Sequence, residues 1–237
     1  MSKQATWTDD LRAFGAIKPR RSLAEEAADT LREFILLGKL APGVPVPERD
    51  LSEALGISRT PLKEALRQLE GEGLIDYGPT RRPRVADPSM DEISENLAVL
   101  GALEALAGEL ACKNATDAEI AEAARFEEMM RTAPAGTDPL DFFRWDMAFH
   151  QTIVRAAGNA PLSETHHAYN SRLWRARFIS SKMRTARDAT LGQHEDIIAA
   201  LKARDGAACG QHMRRHLEVA IVNIAAAQAR LERQNTT

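Results

Sequence analysis

Two cysteines in 237 residues cannot build a disulfide framework, and Cys112 and Cys209 stand far apart inside helical patterns. They are expected to be reduced core thiols of a cytoplasmic protein. No run of 18 apolar residues occurs, which excludes a membrane-spanning helix. The opening stretch MSKQATWTDDLRAFGAIKPRR lacks the apolar core of a secretory signal. Strand patterning is nearly absent. An excess of one charge is missing too: the formal net charge is −3, and residues 20–85 hold eleven basic and eleven acidic side chains. Any binding to a polyanion must come from how charges are placed, not from their sum.

What is present is helix. An apolar share of 44% and a charged share of 27% are those of an ordinary globular chain of one or two domains. Leu23, Ala27, Leu31 and Ile35 fall on one helical stripe that Gly38 closes. KLAPGVPVPE is a proline-broken connector with a short extended segment around 44–46. DYGPTRRPRVADPS predicts a two-stranded hairpin, with Tyr77 and Val85 flanking its turn and three prolines opposing helix. From Ser89 onward the pattern is helical. Ser89 with Glu92 and Thr116 with Glu119 form capping boxes, and Asp138 before Pro139 starts another helix. Further helices are predicted over 161–183, 187–204 and 206–231. Met129, Met130, Phe142, Phe143, Trp145, Phe149 and Trp174 recur at helical spacing and read as core. The composition changes near residue 88, between a small α+β head and a helical body.

Within the head, LSEALGISRTPLKEALRQLEGEGLI breaks a helical pattern at Gly56, Ser58 and Pro61. Two short amphipathic helices joined by a glycine-containing turn make a helix–turn–helix. Ser58 or Thr60 can cap the second helix, whose free N–H groups suit a phosphate. Leu62, Leu66 and Leu69 bury one side, while Arg59, Lys63 and Arg67, four apart, line another. A guanidinium there suits a bidentate contact to guanine, worth about 1–3 kcal/mol of base discrimination. A merely solvated basic face fits the same spacing. Arg81, Arg82 and Arg84 at the hairpin tip, placed to touch phosphate or the minor groove, favour DNA binding.

The 45 residues LREFILLGKLAPGVPVPERDLSEALGISRTPLKEALRQLEGEGLI closely resemble the winged helix–turn–helix of GntR-type bacterial transcription regulators. The resemblance implies that Arg49 and Arg59 read guanines of a short palindrome. It assigns Ser58, Thr60 and Lys63 to phosphates or base edges, Arg67 to phosphate, and Arg81 and Arg82 to the wing. Two departures stand out. Position 63 is lysine where arginine is usual, which loses a bidentate fork. The wing carries Pro83 and no glycine at its tip.

Histidine is scarce, with six in the chain. Asp146 and His150 lie at i and i+4 in DMAFH, His194 follows in QHEDIIAAL, and His212 and His216 are again i and i+4. A carboxylate and two or three imidazoles from separate helices suit a divalent metal in a bundle core. Spacing alone does not show that these helices converge, and His166 and His167 read as helix surface. The body from Met90 to about Leu231 resembles the ligand-binding (FCD) domain of the FadR subfamily of GntR regulators. Its marks are LGALEALAGELA, DMAFH, AAGNAPL, HEDIIAALKARD and MRRHL, in order. In many members the first Asp, the first His and two later His hold zinc, nickel or manganese. Here that implies Asp146, His150, His194 and His216, and it selects His216 over His212. Members that bind organic acids often carry an arginine three residues before the glutamate of the first bundle helix. Here that position is Gly101, ahead of Glu104. Arg172 and Arg175 are the candidate effector-binding cations on a bundle helix, with the surface as the competing place for both.

These readings imply a mainly α protein. An arm over 1–20 is expected to be disordered, a winged helix–turn–helix with a small β wing spans 21–87, and an antiparallel bundle of six to seven helices spans 88–233. The implied function is sequence-specific regulation of transcription, modulated by a small organic or sugar acid bound near the metal. Two recognition helices about 34 Å apart match one turn of duplex, so a palindromic operator calls for a homodimer. The rival is a metal-dependent hydrolase or lyase in which the four cluster residues activate water, although no general base of defined spacing accompanies them.

Overall fold

The computed structural model describes residues 21–78, 81–182 and 184–235. The expectations for the arm, Arg20 included, and for wing residues 79–80 lie outside them. The head opens with α1 (Leu23–Leu36), which starts at a capping box. The Ser22 hydroxyl accepts from the Glu25 N–H, and the Glu25 carboxylate accepts from the Ser22 N–H. Its inner stripe is Ala24, Ala27, Ala28, Leu31 and Ile35; Leu23, expected on that stripe, is 57% exposed, because the buried face begins one residue later at Ala24. α2 (Glu48–Leu55) and α3 (Arg59–Gly71) follow, and Gly56 between them holds φ +64°, a conformation open to glycine at no steric cost. Leu62, Ala65, Leu66 and Leu69 of α3 pack on α1.

The wing is β1 (Ile75–Tyr77) paired antiparallel with β2 (Pro83–Val85), in the register Ile75↔Val85 and Tyr77↔Pro83. The extended connector joins the far edge of β2: the Val46 N–H donates to Pro83 O and the Val85 N–H to Val44 O. At the turn Arg81 adopts φ +53°, the left-handed conformation that the missing glycine would have taken freely; for a side-chain-bearing residue this costs about 1–2 kcal/mol.

The bundle comprises α4 (Met90–Asn114), α5 (Asp117–Arg131), α6 (Pro139–Ala156), α7 (Ala160–Ser181), α8 (Arg184–Lys202) and α9 (Gly206–Asn235). Both expected capping boxes form, at Ser89–Glu92 and Thr116–Glu119, and Asp138 caps α6 by accepting from the Leu140 N–H at 2.8 Å. The long helices α4 and α9 run closest together. At Gly108 a Cβ would stand 2.9 Å from Cys209 Sγ, so the contact needs glycine. Gly101 faces the same helix, its would-be Cβ 3.4 Å from Leu217 Cβ. Core packing centres on Met130, Phe142, Phe149, Ile153, Ile197 and Met213.

Head and bundle meet through Leu36, Leu140, Phe143, Met147 and Phe178. Arg32 donates twice to Glu72, at 2.8 and 2.7 Å, and lies 5.8 Å over the Trp174 ring. Arg144 of α6 reaches Glu33 of α1 at 3.2 Å. Helix α6 therefore touches the head with one face while another carries Asp146 and His150 inward.

Candidate metal centre and nucleic-acid interface

The head presents its cations outward. Ser58, Arg59, Thr60, Lys63 and Arg67 are all exposed on α3, and its buried leucines keep that face outward. Ser58 occupies the N-cap position, yet its side chain makes no capping bond, contrary to the expected cap. The first-turn N–H groups are therefore left to an external acceptor. Arg49, at the start of α2, has an 81% exposed side chain with Asp50 3.2 Å away. Lys63 approaches Glu48 only to 3.8 Å. On the wing Arg81 and Arg82 are exposed, whereas Arg84 is drawn back onto Asp76.

The bundle does the opposite and buries its polar groups. α6 supplies Asp146 and His150, α8 supplies His194 and α9 supplies His216; one donor atom from each lies within 4.8 Å of all the others. His150 Nε2 is 3.6 Å and His194 Nε2 3.4 Å from Asp146 Oδ1. The His216 ring centre stands 4.9 Å from those of both His150 and His194. None of the four is more than 8% exposed. Asp146 Oδ1, His150 Nε2 and His194 Nε2 have no hydrogen-bond partner, although buried polar atoms are nearly always paired. Lone pairs converging on one point without protons between them are what a cation requires. Three imidazole nitrogens and one carboxylate oxygen are a donor set for zinc, nickel or manganese.

Electrostatics agree with that geometry. Burial lowers His194 to about 3, against an opposing pull from Asp146, and burial beside two other imidazoles pushes His216 far down. Both rings are thus neutral lone-pair donors. Burial alone would raise the Asp146 carboxyl, but His150, His194 and Arg177 together hold it below the usual carboxylate range. For His150 burial acts downward and is outweighed by Glu104 and Asp146, so its value rises.

Two further groups flank the rings. Glu104 of α4, wholly buried, places Oε2 2.8 Å from His150 Nδ1, and Gln193 Oε1 lies 2.9 Å from His216 Nδ1. The acceptor at His216 Nδ1 holds the proton there and turns Nε2 inward, the arrangement that fixes metal-binding histidines, while Glu104 stands beside His150 as a buried counter-charge. Glu104 also takes His166 Nε2 at 3.1 Å. The expectation that His166 lies on the surface is corrected: it is 2% exposed, and its neighbour His167 is the exposed one. The first glutamate inside LGALEALAGELA, set among apolar residues, was the signal available in the sequence. His212 lies outside the cluster, half-exposed.

Beside the cluster opens a cleft of about 40 Å³ lined by Asp146, Arg177, Ser180, Gln193, His216 and Asn223 among others. Its cation is Arg177, 6% exposed, which donates to Asn170 Oδ1 at 2.8 Å and stands 3.6 Å from Glu104 Oε1 and 3.7 Å from Asp146 Oδ2. Arg172 and Arg175, the sequence candidates for this role, are not there. Arg172 packs over Gly73 of the head and the Tyr169 ring, and Arg175 lines a separate cleft with Asp87 at the head–bundle junction. They are three residues apart on α7 and share a face; Arg177, two residues further on, falls on the opposite one.

Comparison with known proteins adds a further set of findings. Residues 23–85 match the model of bacterial regulatory proteins, gntR family, and residues 95–219 match the FCD domain. The chain is 28% identical over 202 residues to the HTH-type transcriptional repressor RspR of Escherichia coli (strain K12), covering 85% of this chain and 89% of that one. It is 31% identical over 190 residues to a protein of Paenarthrobacter nicotinovorans named "Probable D-xylose utilization operon transcriptional repressor", covering 78% and 83%. Among solved structures, E. coli McbR/YncC superposes with a TM-score of 0.74 at 23% identity, over 90% of this chain and all of that one. The last likeness concerns the fold alone.

Proposed function

The chain belongs to the gntR family of bacterial regulatory proteins, with an FCD domain behind its DNA-binding head, and from that premise we propose how this transcription regulator works. Its head, residues 21–87, reads a short palindromic duplex. Arg49 and Arg59 contact guanine edges. Ser58, Thr60 and Lys63 take phosphates or base edges, Arg67 holds phosphate, and Arg81 and Arg82 touch the backbone beside the groove. A second copy supplies the other half-site, so the working form is a homodimer.

The bundle, residues 88–233, holds one divalent cation, zinc, nickel or manganese, on Asp146, His150, His194 and His216. The observation that carries this reading is the set of four buried donors within 4.8 Å, three of them with unpaired atoms. When bound, the metal supplies a Lewis-acidic anchor for an acidic effector. Arg177, 3.7 Å from Asp146, orients that effector in the cleft, the role expected of Arg172 and Arg175. Gly101 puts no cation at its own position on α4, where a Cβ would lie 3.4 Å from Leu217 Cβ. Because α6 carries both Asp146 with His150 and the Phe143–Met147 face against α1, a shift of α6 on effector binding moves the head. The effector changes operator affinity only by its differential affinity for the two arrangements.

Among the described residues no helix is long and apolar enough to cross a membrane, and a regulator of this kind acts on DNA in the cytoplasm. The family is one of transcription regulators, and no observation of its own favours the hydrolase or lyase reading of the cluster. Selection from a random duplex pool tests the proposal. A palindromic site is expected, whose binding weakens or strengthens when the metal is chelated. Enrichment of no sequence would overturn the head assignment, and an operator affinity indifferent to chelation would overturn the metal's regulatory role.

A further inference from the structure

Away from the cluster, the junction of head and bundle holds a cation that no described carboxylate satisfies. Arg175 of α7 is half-buried there, and its Nε is shut off from solvent with no hydrogen-bond acceptor. Burial pulls its pKa down, and among the described residues the opposing pull comes from Asp87, at a distance and without an ion pair. A guanidinium taken out of water with no bonded counter-charge is costly, which favours an anionic group beside it. Arg175 lines a narrow cleft of about 30 Å³ between Gly73 of the head, the connector 86–88 and Ile93 of the bundle. That space takes a carboxylate and little else.

The narrow cleft shares Gly73, Asp87, Ile93 and Arg172, among others, with a wider one of about 390 Å³. In the wider cleft Asp76 is bound to Arg84, and the Glu92 carboxylate accepts from the Ser89 N–H and hydroxyl. Arg172 and Asp87 remain. Arg172 is exposed, with its guanidinium 5.6 Å over the Tyr169 ring. Asp87 borders both clefts, is exposed, and forms no ion pair with a described cation. A plain anion reaching Arg175 meets repulsion from Asp87. A molecule that is anionic at one end and cationic at the other meets attraction from both.

We propose that this junction is a ligand site of its own, apart from the metal cluster, and that it takes an α-amino acid as the zwitterion. The carboxylate lies against Arg175 with Arg172 beside it, the ammonium meets Asp87, and the side chain enters the wider cleft. Guanidinium and carboxylate suit a bidentate pair, and junctions between domains are common places for small ligands. Occupancy ties the connector to α7 and so bears on how the head is held.

The test is calorimetric titration of the full-length chain with each common α-amino acid in turn, then with the hydroxy acid and the amide matched to any that binds. Parallel titrations of His150→Ala/His194→Ala tell the junction from the cluster, because free amino acids also chelate metals. At least one amino acid is expected to bind both chains alike, and about tenfold or more tightly than its hydroxy acid or its amide. Arg175→Met and Asp87→Asn are each expected to weaken it by about tenfold or more. Without ligand, Arg175→Met should melt no lower than wild type, since it removes a buried charge and keeps the packing of the stem. Binding by none of the amino acids, binding lost with the two histidines, or a hydroxy acid held as tightly overturns the site. An affinity unchanged in Arg175→Met does so too. A lower melting point in that variant would likewise overturn it, by giving the guanidinium a partner within the chain, from the last turns of α9 or elsewhere.

Discussion

The two halves of this molecule place charge in opposite ways. In the head, Arg49, Arg59, Lys63, Arg67, Arg81 and Arg82 stand in solvent over an apolar core, and the carboxylates that Arg49 and Lys63 meet, Asp50 and Glu48, leave that face open to a partner from outside. In the bundle, Glu104, Asp146, His150, His194, His216 and Arg177 are buried and face one another. An exposed cation is cheap to keep and waits for a polyanion, so its contribution is set by salt and by groove geometry. A buried donor set is costly unless filled, so its contribution is set by the group that fills it. In the proposed function the difference separates a surface that searches from a cavity that senses, with α6, which touches both, as the proposed mechanical link.

The sharpest way to break this contrast is to disturb one half and watch the other. Phe149 is fully buried and packs 4.3 Å from the His194 ring, so Phe149→Ala is expected to cost about 3–5 kcal/mol in thermal unfolding and to lower metal uptake. Retained non-specific DNA binding by that variant would show the head surviving on its own core; loss of both functions together would deny the division. Acid should also tell the halves apart, because all six histidines lie in the bundle. His194, lowered to about 3, and His216, pushed well below the ordinary 6.5, leave the unfolded chain binding more protons, so their stabilisation, complete above 6.5, drains as pH falls below it. His150, raised, works in the opposite sense, and the two lowered rings outnumber it. In the chelated protein, melting followed between pH 7 and 4 should show the bundle losing stability first; an equal loss in the head would count against this assignment.

Smaller effects sharpen the picture. Arg59→Ala is expected to remove about 1–3 kcal/mol of discrimination between operator and random duplex, read by competition binding, with metal content unchanged. Undiminished discrimination would take Arg59 off the base edges. Arg67→Ala should weaken all duplexes alike and reduce the slope of log affinity against log salt by about one, whereas metal binding should barely respond to salt. A salt slope left intact would remove Arg67 from the phosphate contacts.

The head was legible because its signals are local. Gly56, the leucine spacing of α3 and the wing prolines each act within a few residues, and the helix–turn–helix they predict is the one that forms. Helix starts in the bundle were legible for the same reason, through Ser89–Glu92, Thr116–Glu119 and Asp138. The centre of the bundle was not, because it is assembled from five helices across more than a hundred residues. Periodicity places Asp146 and His150 on one face but says nothing of what α4 or α7 brings opposite. That is why nothing in the spacing marks Glu104 and Arg177 or the burial of His166, and why Arg172 and Arg175, on the same helix as Arg177, are as eligible from sequence as it is. Resemblance supplied the four donors, and the structure brings those four together.

The most direct test is metal content per chain of the protein purified without chelators or an affinity tag, beside the His150→Ala/His194→Ala variant. The account predicts close to one zinc, nickel or manganese ion per wild-type chain and almost none in a variant that remains folded by circular dichroism. A folded wild-type chain that holds no metal, even after each of the three ions is supplied, would contradict it.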